Sequence, residues 1–172
     1  MPLKLLTLFS GLVLLSLTAG ANERTVYGLS ETALIKDLEL EVPAKLDTGA
    51  VTSSLSAQNV KMFKRDGQDW VRFELAVEGA QEGKTLVKPV VRVSQIKRRA
   101  DDIPDEDSKT YTVRPVIEMA VCMGDSLQHI EVNLADRTGF EYPFLMGATA
   151  LREFNALVAP DLSYQAGSPN CA

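Results

Sequence analysis

The stretch WVRFELAV, Trp70 to Val77, sets Val71, Phe73 and Leu75 against Arg72 and Glu74 in strict alternation. Successive side chains of an extended chain point to opposite faces, so this pattern builds a strand with one face buried and one wet. HIEVNL, His129 to Leu134, repeats it. Comparable runs rich in Val, Ile, Leu, Thr and aromatic residues span Arg24 to Leu29, Leu38 to Leu46, Thr85 to Val93, Tyr111 to Val121 and Gln128 to Leu134, each bounded by turn signals. A chain built from such runs reads as all-β. No repeat of solenoid length and no Gly-rich phosphate loop interrupts it. ATALREF, Ala148 to Phe154, follows Gly147 and consists mostly of good helix formers, which predicts one short helix closing the fold.

The N-terminal stretch carries Lys4, an apolar run from Leu5 to Leu17 and then Ala19 and Ala21 in an A-x-A arrangement. That is the pattern of a cleaved signal peptide over residues 1–21, which predicts export to the periplasm; the apolar core is too short to span a membrane, and no stable insertion is expected after cleavage. Residues 22–172 are the size of one domain with one core. The formal charge of -5 is spread along the chain, and Lys97, Arg98 and Arg99 are answered at once by Asp101, Asp102, Asp105, Glu106 and Asp107, so nucleic acid is not an expected partner.

Export would let a disulfide persist between Cys122 and Cys171, and the sequence leaves a bridge and two free thiols equally open. A zinc site needs three or four Cys, His or carboxylate ligands, and the chain has a single histidine, His129, which the alternation puts on the polar face of a strand. No metal and no cofactor is expected. The charged segment IKRRADDIPDEDSK, Ile96 to Lys109, is either a solvated loop or a mobile hairpin covering a cleft.

In KLDTGAVTSSL, Lys45 to Leu55, an acid ends one apolar-patterned run and is followed by a small hydroxyl residue and Gly before the next run begins. Thr48 can hydrogen-bond within or across such a turn, and Gly49 leaves room for another backbone or a ligand. Taken alone, the triplet reads better as an ordinary β-turn than as a site. About a hundred residues later, EYPFLMGATAL, Glu141 to Leu151, runs apolar residues into Gly147 and the predicted helix.

Together the two elements resemble the retropepsin-like aspartic peptidase family, and specifically the bacterial group catalogued as ATP-dependent zinc proteases. The likeness runs through VYGLSETALIKDLEL, AKLDTGAVTSSLSA, VRPVIEMAV, IEVNLADRTGFEYPFLMGATAL and NALVAPDLSY in order. It implies a single-lobe acid-protease β-barrel with one short C-terminal helix. It assigns Asp47 as the catalytic acid, Thr48, Gly49 and Ala50 as its supporting loop, and Leu145, Met146 and Gly147 as the closing strand beside it. Neither an ATP loop nor a zinc ligand set accompanies the catalogue name.

The family pattern commonly has Arg directly after the second Gly, paired with an acid just past the DTG loop; here Ala148 and the Val51-Thr52 pair stand in those places, so both partners are missing. Asp136, before Gly139, and Asp161, after Pro160, read as turn or terminus residues.

Aspartic peptidases need two carboxylates close enough to share one proton, one accepting a proton from water and the other polarising the scissile carbonyl. One Asp-Thr-Gly in a chain of this length implies a symmetric homodimer with an Asp47 from each subunit, Thr48 locking the two loops and Gly49 letting them meet. The expected substrate is an extended peptide or protein, cleaved best under mildly acidic conditions. The alternative keeps the fold without catalysis, as a peptide-binding or regulatory module of the cell envelope.

Overall fold

The computed structural model describes residues 24–79, 83–97 and 111–171. The expected signal peptide, and residues 98–109 of the candidate flap, lie outside the described residues.

Among the described residues, eleven strands and one α-helix follow in order: β1 Thr25–Gly28, β2 Ser30–Ile35, β3 Leu40–Asp47, β4 Ser53–Arg65, β5 Gln68–Leu75, β6 Thr85–Pro89, β7 Arg92–Lys97, β8 Tyr111–Met123, β9 Ser126–Ala135, β10 Phe144–Gly147, α1 Ala148–Glu153 and β11 Ala156–Ala159. The alternation fixes the faces. Along β3, Val42, Ala44 and Leu46 are buried while Glu41, Pro43 and Lys45 are exposed. Along β5, Val71, Phe73 and Leu75 are buried.

Six strands close on themselves in the order β10-β3-β2-β8-β9-β4, because β4 pairs with β10 as well as with β9. Closure leaves no open edge in the ring and encloses a core that includes Phe144, Ile35, Leu46, Leu55, Met119 and Met146, to which Phe73 of β5 also belongs. Two long strands serve both the ring and an arm. The first residues of β4 lie in the ring, and its outer part pairs with β5, which carries β6; the β4–β5 register shifts between Gln58 and Lys61, where Asn59 takes a left-handed φ of 51°. Likewise β8 pairs with β7 over Tyr111–Val116 before entering the ring. These two hairpin arms project from one barrel.

Several elements differ from the sequence expectation. The run Thr85 to Val93 is split into β6 and β7, since Val90 bonds back to Asp69 and Val91 to Val116, so the chain leaves one arm and starts the other. The short β2 and β11 are not marked as runs of their own in the sequence: β2 pairs with its neighbour β3 and with the distant β8, and β11 with the distant β1 in parallel register, Val26 opposite Leu157. The helix ends one residue early, at Glu153. Cys122 and Cys171 are joined in a disulfide, with Cα atoms 6.0 Å apart.

Candidate active site

The Asp47 loop begins where β3 leaves the ring. The backbone N–H groups of Gly49 and Ala50 donate to the same carboxylate oxygen, Asp47 Oδ1, at 2.9 and 3.2 Å. Among the described residues no hydrogen bond reaches Oδ2. One oxygen therefore orients the carboxylate while the other retains its lone pairs. Thr48 and Gly49 are exposed, and Val51 is 71% exposed.

Residues far apart in sequence build the far wall. β10 runs parallel to β3, with Leu145 beside Lys45, Met146 beside Leu46 and Gly147 beside Asp47. The structure thus brings Leu145, Met146 and Gly147 to the acid, with Met146 in the core and Leu145 on the face that carries Asp47. A Cβ at Gly147 would lie 2.7 Å from the carbonyl carbon of Thr52 and 2.8 Å from Val51 O, so the loop can pass only because this residue has no side chain. The start of α1 completes the contact, Ala148 N donating to Ala50 O at 2.7 Å and Thr149 N to Val51 O at 3.1 Å. Ser53 Oγ accepts from Gly147 N at 3.1 Å.

Two arginines that the sequence reading passed over share this side of the barrel. Burial pushes the guanidinium groups of Arg114 and Arg137 below their ordinary value; at Arg137 the like charge of Arg114 adds to that, and the negative charge of Asp47 opposes it. Asp47 is thus within electrostatic reach of Arg137. Arg114 Nη1 donates to Asn133 Oδ1 at 3.4 Å, and Asn133 Nδ2 to Ser53 O at 2.8 Å, a chain that ends at the strand following the loop. Arg137 Nε donates to Tyr142 O at 3.1 Å, and its guanidinium lies 4.7 Å from the Phe140 ring centroid. The available signal was Arg114 inside the largely apolar run VRPVIEMAV.

Each arginine lines a groove. One, of about 710 Å³, runs along the outer face of β3 between Pro43, Glu74, Arg137, Phe140 and Pro143; the other, of about 700 Å³, lies between the arms and takes in Met62, Val113 and Arg114. Gln58 lines both, and its amide donates to Asp136 Oδ2 at 3.2 Å.

Asp136 itself closes a turn, accepting from Thr138 N and Oγ1, and Asp161 lies in an exposed turn after Pro160. His129 is exposed on β9, its Nδ1 3.6 Å from Glu118. Among the described residues no group of three or more His, Cys, Asp or Glu side chains could hold a metal ion.

With this geometry in place, the family model for RimB-like proteins, described as retropepsin-like aspartic endopeptidase RimB, matches residues 26–169. The chain belongs to that family. Among solved structures, Lpg0085 of Legionella pneumophila, a protein described as of unknown function, superimposes with a TM-score of 0.66 at 30% identity, covering 84% of this chain and 99% of that one. Two relatives are each named "Probable alpha-L-glutamate ligase". That of Shewanella pealeana is 30% identical over 126 residues, 73% of this chain and 26% of the relative; that of Parasynechococcus marenigrum is 31% identical over 147 residues, 85% and 30%. The RimB-like chain therefore spans between a quarter and a third of these two ligases.

Proposed function

We propose that this chain is an exported aspartic endopeptidase that works as a symmetric homodimer, with one Asp47 from each subunit forming the dyad. The observation that carries the reading is the half-used carboxylate: Oδ1 is fixed by the Gly49 and Ala50 N–H groups while Oδ2 stays open on an exposed loop. Two such carboxylates facing across a two-fold axis share one proton. The ionised one removes a proton from the attacking water and later passes it to the leaving amine as the C–N bond breaks; the protonated one donates to the carbonyl oxygen and takes that proton back when the carbonyl re-forms. The titration belongs to the pair, and the singly protonated form places the optimum on the acid side of neutral.

Gly49 supports the two-copy assembly. Its φ is not in the left-handed region, and a Cβ there would meet only Asp47 Oδ1, at 3.3 Å, so a single chain barely requires glycine. An approaching partner loop does. The disulfide suits an oxidising compartment.

The groove bearing Arg114 suits an extended peptide with an acidic side chain, since a half-buried guanidinium gains most from a carboxylate partner, whereas Glu41, Glu74, Glu78 and Glu141 surround Arg137 in the other groove. The relatives' ligase name, which refers to glutamate, points the same way. The test combines native particle mass with cleavage of glutamate-rich and neutral peptides by wild type and Asp47→Asn. A dimer whose cleavage of the acidic peptide vanishes in the variant is the expected result. A monomer at every accessible concentration and pH, with no Asp47-dependent cleavage, would leave the peptide-binding module as the better account.

A further inference from the structure

The segment from Asp47 to Thr52 is held on one side entirely by backbone: Ala50 O and Val51 O accept the first N–H groups of α1, and Gly147 presses against Val51 and Thr52. On its other side it is held by a side chain from another part of the fold. Arg92 Nη2 donates to Thr52 Oγ1 at 3.0 Å, and Arg92 Nε donates to Glu131 Oε2 at 2.7 Å. One guanidinium thus joins the end of the Asp47 loop, the ring strand β9 and the first residue of β7.

Three features make this more than a surface pair. Glu131 stands directly opposite Glu118 in the β8–β9 ladder, and like charges so placed repel unless a cation answers one of them. The two bonds come from different nitrogens of one planar fork, a geometry that a lysine ammonium on a flexible stem cannot hold. The Val51-Thr52 pair is also where the family pattern would set an acid against an Arg following Gly147, and here both partners are missing. A cation reaches this loop from the arm instead.

We propose that Arg92 is a positioning residue for Asp47: it locks the far end of the loop through Thr52 and so makes the carboxylate's orientation depend on the seating of the β7–β8 arm. Arg92 touches neither the reacting atoms nor Asp47. Glu131 is about 40% exposed, as is Arg92 itself, so removal of Arg92 should hardly change global stability. It should instead free the loop.

The kinetic part of the test rests on the peptidase reading; the exchange part does not. In the full-length dimer, Arg92→Gln should lower kcat roughly 10- to 100-fold with KM and Tm nearly unchanged, and Arg92→Lys should recover only part of the loss. Thr52→Val should reproduce the defect, Thr52→Ser should rescue it, and the double variant Arg92→Gln with Thr52→Val should be no worse than either alone. Amide hydrogen exchange at Gly49 and Ala50 should speed up several-fold in Arg92→Gln while exchange in β5 stays the same. A wild type that cleaves alongside an Arg92→Gln variant of equal kcat overturns the proposal. So does unchanged exchange at Gly49 and Ala50. If wild type cleaves no peptide, the peptidase reading falls, and the exchange measurement alone decides whether Arg92 positions the loop.

Discussion

Glu31 and Asp47 lie on neighbouring strands and both accept backbone N–H groups, but they are used in opposite ways. Glu31 is fully buried, and both of its oxygens are occupied: Oε1 accepts from Gly28 N at 2.6 Å and Gln165 N at 2.9 Å, and Oε2 from Ala166 N at 3.1 Å. Two of these donors come from the C-terminal tail, more than 130 residues away. Asp47 accepts from residues two and three ahead of it, through one oxygen only. A carboxylate saturated by distant amides organises the fold. One oriented by its own loop, with an oxygen to spare, is available for chemistry.

The largest expected effect separates the two roles directly. Asp47→Asn preserves shape and can still accept from Gly49 and Ala50 through its carbonyl oxygen, but it could not share a proton with a second carboxylate in the proposed dyad. Cleavage should fall by about a thousandfold or more, with the melting temperature nearly unchanged. Glu31→Gln should do the reverse. Its amide nitrogen cannot accept from the tail, so a buried N–H loses its partner and stability falls by about 3 kcal/mol, measured by urea unfolding. The clasp has a second fastening, since Cys122–Cys171 closes a separation of 49 residues and Asn170 N donates to Gly124 O at 2.8 Å. Reducing it should cost about 3 kcal/mol in wild type and clearly less in Glu31→Gln, because both hold the same tail. A Glu31→Gln protein that kept its stability but lost cleavage would collapse the distinction.

A pair of glycines tests the same contrast at the next scale of energy. Gly147→Ala forces a Cβ to within 2.7 Å of Thr52 backbone inside one chain, and should cost about 2 kcal/mol in unfolding experiments. Gly49→Ala meets only a side-chain oxygen at 3.3 Å and should cost less than about 1 kcal/mol. Its penalty should emerge instead in sedimentation and kcat, where two loops must meet. Equal losses of stability in both variants would remove the argument that Gly49 answers to a second copy.

How legible these features were depended on the reach of the interaction that fixes them. The alternation in WVRFELAV and HIEVNL is local, and β5 and β9 lie where it puts them. The turn chemistry of Asp47 and Asp136 is local too, spanning two or three residues. The closing strand was legible through its resemblance to a family pattern, not through any periodicity in FLMG. Glu31 was not legible as a clasp, because nothing in SETALI announces that residues 165 and 166 will come to it; a clue lies in Gly28, where a Cβ would strike Leu162 O at 2.6 Å. Arg92 was hidden for the same reason. It opens a strand whose register, Arg92 opposite Val116, is set by pairing across a segment of high charge, and only that register carries it to Thr52.

The smallest expected effect concerns the acid that resembles Asp47 most, Asp136. It too ends a strand and accepts from its own turn, Thr138 Oγ1 at 2.7 Å and Thr138 N at 3.0 Å, and it is fully exposed. These bonds, the hydroxyl first, hold its pKa below the ordinary carboxylate value. A depressed folded-state pKa means that the unfolded chain binds the proton more readily, so the contribution to stability is complete above the ordinary carboxylate range and is lost as pH falls through the folded value. The turn also carries Arg137, whose N–H donates to Ser56 Oγ at 3.2 Å, so acid should loosen the arginine's seat as it weakens the turn. Urea unfolding of wild type and Asp136→Asn across a pH series should show a small, constant gap above the carboxylate range that closes below it. In Asp136→Asn the KM for peptides should rise modestly while kcat holds, because this carboxylate places a cation and does not take part in the proton transfer. A fall in kcat without a rise in KM would move Asp136 out of the class of Glu31 and into that of Asp47.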